Sequence, residues 1–107
     1  MIKYKMSFYF DFGGACIWDD GFKGGAIMNI RRLPISTELV GELENLMYEY
    51  SGYLDWDYPP NPSPWSKEEK IDFLRRSTIV YEKLRNELGS EYEIINKVRE
   101  LSLNNLA

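Results

Sequence analysis

Lys3-Tyr4-Lys5-Met6-Ser7-Phe8-Tyr9-Phe10-Asp11-Phe12 alternates along its whole length. Tyr4, Met6, Phe8, Phe10 and Phe12 fall on one side, and Lys3, Lys5, Ser7, Tyr9 and Asp11 on the other. A period of two built from aromatics is the pattern of a half-buried strand, because successive side chains leave a strand on opposite faces. Gly13-Gly14 then breaks the run. Ala15–Trp18 and Ala26–Ile30 are short enough and apolar enough to be further strands, with Asp19-Asp20-Gly21 as a turn and Gly24-Gly25 as a second break.

Beyond residue 33 the period changes from two to 3.6. Pro34 holds Leu33 extended. Ser36 stands where a helix N-cap belongs, with Glu38 in the first turn, where the helix dipole favours an acid. Leu39, Val40, Leu43, Leu46, Met47 and Tyr50 recur at helical spacing, and Glu38, Glu42, Asn45 and Glu49 occupy the opposite face. Residues 37–51 therefore read as an amphipathic helix ending at Ser51-Gly52. Pro59, Pro60, Pro62 and Pro64 make the following segment a stiff extended connector. Ser66 with Glu69 then forms a capping-box pattern. A second helix is predicted over 67–88, its apolar face marked by Ile71, Leu74, Thr78, Tyr81 and Leu88, widened by Phe73, Val80 and Leu84, and stopped by Gly89. Tyr92–Ile95 has strand character. The tail from Lys97 carries Val98, Leu101, Leu103 and Leu106 and reads as a short helix or a frayed end.

These elements imply one α+β domain over residues 1–107: a small antiparallel sheet from the N-terminal strands, with residues 92–95 as a candidate addition, packed against two helices. The chain has 107 residues and a hydrophobic fraction of 44%, enough for a real core with little space for an internal cofactor pocket. Cys16 is the only cysteine, so no internal disulfide can form. Neither a secretory signal nor a membrane-length apolar run is visible. A cytoplasmic protein is the expectation.

With no His in the sequence, the commonest general base and metal ligand is missing. Cys16 without a His to activate it reads as a small buried residue. Asp55-Trp56-Asp57 superficially resembles a carboxylate pair for a hard cation, but no Gly-rich strand-to-helix turn accompanies it to hold a nucleotide. Neither a catalytic residue nor a metal or cofactor site is expected, and a small metal-dependent enzyme is the weakest of the readings.

The net charge of −4 argues against direct nucleic-acid binding, which needs clustered Lys and Arg. The charge is also uneven. No base lies between Leu33 and Ser66, which holds Glu38, Glu42, Glu44, Glu49, Asp55 and Asp57; none lies between Met6 and Phe22, which holds Asp11, Asp19 and Asp20. Tyr48, Tyr50, Tyr53, Trp56, Tyr58 and Trp65 lie in or beside the first of these stretches. Acids steer a basic partner, and Tyr and Trp supply the anchors of protein interfaces. Core packing competes for the same aromatics, since Tyr50 continues the helical stripe and Trp65 is placed to staple the second helix. The residues that this pattern offers to a partner are Asp19, Asp20, Glu42, Glu49, Tyr53, Asp55, Trp56 and Asp57.

Leu33-Pro34-Ile35-Ser36, Leu54-Asp55-Trp56-Asp57-Tyr58-Pro59-Pro60, Pro62-Ser63-Pro64-Trp65-Ser66, Leu84-Arg85-Asn86-Glu87-Leu88-Gly89 and Tyr92-Glu93-Ile94-Ile95 together resemble the small bacterial immunity proteins paired with secreted polymorphic toxins and contact-dependent growth inhibition toxins. The resemblance covers residues 33–96, and the first thirty residues join it only through Cys16-Ile17-Trp18. It implies a cytoplasmic, non-enzymatic antidote that binds a cognate toxin domain tightly. Such toxins are frequently nucleases with basic clefts, which an acidic surface would complement. It also implies that the shared motifs mark the scaffold rather than the interface. A regulatory or adaptor module for another basic protein is the alternative reading.

Overall fold

Among the described residues of the alternating stretch, only Tyr4–Phe8 is a strand, one of the two inner strands of a four-stranded sheet in a computed structural model of the chain, which describes residues 2–11, 14–20, 24–53, 57 and 63–103. Strand β1 is Tyr4–Phe8, β2 Ile17–Asp19, β3 Gly25–Ala26 and β4 Tyr92–Asn96, in the order β3-β2-β1-β4. The three N-terminal strands pair antiparallel, as expected from their short connections. β4 does join them, but parallel to β1, with Tyr4 opposite Tyr92 and Phe8 opposite Asn96. The sheet is therefore mixed. A parallel neighbour cannot follow through a hairpin, and here the connection between β1 and β4 includes both long helices.

Helix α1 spans Thr37–Tyr50 and α2 spans Lys67–Leu88. Their ends are set locally. The Ser36 hydroxyl accepts from the Leu39 amide at 3.1 Å, and Ser66 with Glu69 completes the reciprocal capping box. Gly89 ends α2 at φ 86°, a conformation that a side chain would strain. Ser51 does not end the helical path after α1. A tight 3-10 turn, Ser51–Tyr53, continues it and swings Tyr53 inward. Ala26–Ile30 is only in part a strand: β3 stops at Ala26, and Ile30 opens a short turn capped by the Asn29 side chain.

The buried face of α2 is rotated from the one its apolar residues suggest. Phe73, Ser77, Val80, Leu84 and Leu88 are buried, whereas Ile71 is 50% exposed and Thr78 is exposed. The pivot is Ser77. It is fully buried, and its hydroxyl donates to the Leu74 carbonyl of its own helix at 3.0 Å, so it enters the core with its polar group satisfied. A reading based on hydrophobicity does not count a serine as core.

Met6, Phe8, Ile17 and Ile94 from the sheet meet Leu39, Val40, Leu43 and Leu46 from α1 and the buried face of α2 in one core. At one end of that core an aromatic cluster forms: Phe10, Tyr50, Tyr53, Trp65 and Phe73 lie with ring centroids 5.1–6.3 Å apart in successive contacts. Trp65 does act at the entrance of α2, by packing on Phe73 at 5.1 Å.

After β4, residues 97–103 turn back against the core. A single wide helical turn, Val98–Ser102, closes with the Leu103 amide donating to the Val98 carbonyl at 3.2 Å. Val98, Ser102 and Leu103 are buried. The Ser102 hydroxyl accepts from the Phe10 amide at 2.6 Å and donates to the Phe10 carbonyl at 3.0 Å, while Tyr50 donates its hydroxyl to the Ser102 carbonyl at 2.6 Å.

Ser102→Ala strands the Phe10 amide and carbonyl away from water, and a buried unsatisfied group costs about 1–3 kcal/mol. Urea denaturation should show a loss in that range, with Ser90→Ala, at an exposed position, close to neutral. Equal midpoints for the two variants would contradict this account of the C-terminal turn.

Candidate functional site

α1 contains no base, yet its acids are not left as a free negative face. Glu42 accepts from Lys83 Nζ at 2.8 Å, Glu44 pairs with Arg31 at 2.9 Å, and Glu49 is held two-pronged by Arg76, whose Nη1 lies 2.7 Å from Oε2. Arg76 also reaches Asp72 at 2.8 Å, and Arg75 takes the other Asp72 oxygen at 2.6 Å. The bases that are missing from residues 33–66 arrive from α2 and from the turn before α1. Hydrogen bonds from Arg75 and Arg76 hold the Asp72 carboxyl below its ordinary range, and the Glu42 carboxylate pushes the Lys83 ammonium up. All of these side chains are at least one third exposed, so solvent screens the pairs and they orient the helices more than they stabilise them.

Glu42 and Glu49 share one feature. Together with Asn45, Arg76 and Lys83 they rim a groove of about 270 Å³ between α1 and α2, floored by Leu46, Ile79 and Val80. Ile79 is 49% exposed in it. Tyr53 lies elsewhere. It is 7% exposed, stacked on Tyr50 at 5.2 Å, with Lys70 Nζ 5.5 Å from its ring centre, and so belongs to the core cluster. Asp57 is exposed. Asp55 and Trp56 lie outside the described residues.

Asp19 and Asp20 sit on the sheet. Asp19 ends β2, half-buried, opposite Met6 and Gly25. Asp20 is exposed. Its amide donates to the Lys5 carbonyl at 2.8 Å, and its carboxylate accepts from the Ser7 hydroxyl at 2.5 Å. Ser7, on the polar side of the alternation, is only 1% exposed, because Trp18 and Ile95 flank it in the register.

Two further candidate residues lie outside the base-free stretch between Leu33 and Ser66. Tyr9 and Trp18 stack face to face, 4.7 Å apart and 1° from parallel, and Trp18 Nε1 donates to the Tyr9 carbonyl at 3.1 Å. Partial burial, then Asp11, then Asp20, push the Tyr9 hydroxyl above its ordinary pKa, which places both carboxylates within electrostatic reach of the ring. The alternation itself contained the signal: Tyr9 is an aromatic on the side of β1 that otherwise carries Lys3, Lys5, Ser7 and Asp11.

Cys16 is fully buried, and desolvation pushes its thiol up to about 12, so it holds no thiolate at neutral pH. Among the described residues, no three His, Cys, Asp or Glu side chains converge on a point that could hold a metal ion. No described helix is long and apolar enough to cross a membrane.

A family model described as "Serratia CdiI immunity protein-like" matches residues 4–97, from the first residue of β1 to just past the end of β4. No curated protein matches the chain.

The Cys16 environment has a measurable consequence. An unfolded thiol titrates at about 8.5. A folded-state value raised above that contributes stability that is complete below the unfolded pKa and is lost as pH rises toward the folded one. Stability should therefore fall from about pH 8.5 upward, with Tyr50, whose hydroxyl is also raised by burial, adding to the loss above about pH 10. In native buffer at pH 8, a disulfide reagent should label Cys16 only as fast as the fold opens, and labelling as fast as in denaturant would refute the burial.

Proposed function

The chain belongs to the Serratia CdiI immunity protein-like family, and we propose that it neutralises its cognate toxin domain by tight binding in the cytoplasm, without catalysis of its own. The match across β1 to β4 carries this reading. We further infer that the toxin domain is basic and acts as a nuclease. The support for that is the sequence charge of −4 and its two base-free stretches. An inhibitor with exposed carboxylates competes with phosphates for the Lys and Arg of a nuclease cleft, and is itself ill suited to bind nucleic acid.

The proposed contacts are the acids offered by the sequence pattern, with Asp19, Asp20 and Asp57 as steering charges and Asp55 and Trp56 beside Asp57. Glu42 and Glu49 would meet the toxin only by exchanging Lys83 and Arg76 for toxin bases. The low net worth of exposed ion pairs makes such an exchange inexpensive. Tyr53 would contribute by holding the end of α1 and the start of α2 in place.

The decisive experiment is co-expression with the C-terminal domain of a toxin encoded beside this gene. Cells should survive that domain only when this chain is present, and the purified pair should lose its nucleic-acid cleavage. A harmless neighbour would overturn the immunity reading. A toxic neighbour that cleaves no nucleic acid would overturn the nuclease reading alone. If Asp55 and Asp57 face the toxin, replacing both by Asn should slow association several-fold at low salt and flatten its salt dependence. An unchanged rate in stopped flow would assign them to the scaffold.

A further inference from the structure

The helices occupy one face of the sheet. Met6, Phe8, Ile17 and Ile94 point into the core with them. The register places Ser7, Trp18 and Ile95 side by side on the other face, with Lys5 opposite Glu93 in the next row and Ala26 beside Trp18. Tyr9 lies over Trp18 on this face. Ile95 is 49% exposed, an aliphatic side chain on a solvent-facing strand position.

This surface has the composition of an interface centre. A Tyr–Trp pair is already locked by its own stacking and by the Trp18 Nε1 hydrogen bond, so little side-chain entropy remains to be lost on binding. An exposed Ile adjoins it, and carboxylates stand at its border. The charge state separates this face from the groove between α1 and α2. There Glu42 and Glu49 already hold Lys83 and Arg76. Here the Asp20 carboxylate is engaged by a neutral serine hydroxyl, which orients it without cancelling its charge. The register places Lys5 between Glu93 on β4 and Asp20 at the end of β2, and among the described residues no ion pair joins it to either; Lys3, on the same side of the alternation, pairs with Glu91 at 3.6 Å.

We propose that the open face of the sheet, centred on Tyr9, Trp18 and Ile95 and bordered by Asp20, is the surface that docks the toxin domain, and that it receives an Arg or Lys of that domain beside an apolar side chain. The cation lies over the Tyr9–Trp18 pair and shares its charge with Asp20, an arrangement in which ring quadrupole and carboxylate attract the same group. The apolar neighbour covers Ile95. This inference rests on the immunity reading and says where on the molecule the neutralisation takes place.

The test is a titration of the purified chain against an inactive form of the cognate toxin domain, with melting curves to confirm that each variant is folded. The intact chain must bind first, and failure there overturns the immunity reading itself rather than the choice of surface. Given binding, Ile95→Arg should weaken it roughly 100-fold, the scale of a hot-spot loss. Ile95→Glu, of similar bulk and opposite charge, should weaken it roughly tenfold less than Ile95→Arg, because the partner is basic. Asp20→Asn keeps an oxygen for the Ser7 hydroxyl and should reduce affinity about tenfold at low salt while flattening the salt dependence. Ile71→Arg, at an equally exposed position on α2 outside the proposed contacts, should leave affinity unchanged. Loss of binding on Ile79→Arg, in the groove between the helices, with none on Ile95→Arg would overturn the proposal in favour of that groove, and an Ile95→Glu variant weaker than Ile95→Arg would overturn the basic partner.

Discussion

Ser102 joins three parts of the chain that are far apart in sequence. Its hydroxyl accepts from the Phe10 amide and donates to the Phe10 carbonyl, satisfying the backbone of the chain leaving β1, and its carbonyl receives the Tyr50 hydroxyl from the end of α1. These groups are buried, and buried polar groups are tolerated only when they are paired. The aromatic cluster depends on this arrangement. Phe10 and Tyr50 are both in contact with Phe73, and Tyr50 with Tyr53 and Trp65. One short C-terminal turn thus completes the end of the core where β1, α1 and α2 meet, and no buried side-chain nitrogen or oxygen among the described residues is left without a partner.

Two of the motifs that carry the family resemblance touch each other, and two more pack on the core and on β1. Ser36, which opens α1, donates both its amide and its hydroxyl to the two oxygens of Glu87 near the end of α2, at 2.6 and 3.0 Å. Trp65 at the end of the connector packs on Phe73 and meets Tyr50 and Tyr53 edge-on. Tyr92 of β4 stacks on Tyr4 of β1 at 4.6 Å. These contacts fix how the helices and the sheet are set relative to each other.

Charge separation along the sequence and charge separation on the surface are different quantities here. The stretch from Leu33 to Ser66 is acidic throughout, but a helix of one sign next to a helix carrying Lys and Arg makes cross-helix pairs, and α1 and α2 do so through Glu42–Lys83 and Glu49–Arg76. Asp20 accepts from the Ser7 hydroxyl and, although Lys5 lies across from it, forms no ion pair among the described residues. The surface best suited to a basic partner therefore lies near the shorter base-free stretch, Met6 to Phe22, rather than the longer one.

What the sequence determined by itself is everything controlled by local geometry. The alternation from Lys3 announced β1, Ser36 and the Ser66–Glu69 box set the helix starts, Gly89 set the end of α2, and the α+β class followed from them. Asp19 and Asp20 were legible as part of a base-free run, and Cys16 as a buried residue. The tertiary structure alone decided what depends on distant partners. It turned α2 about Ser77, whose hydroxyl is satisfied within its own helix and so costs little to bury. It brought β4 in parallel to β1, drew Tyr53 into the core, and gave Glu42 and Glu49 their bases. It also set Tyr9 on Trp18 across two strands, which the spacing within either strand cannot show. Strand period and helix caps are fixed by neighbours a few residues away, whereas packing, pairing and net surface charge are fixed by whichever residues the fold brings alongside.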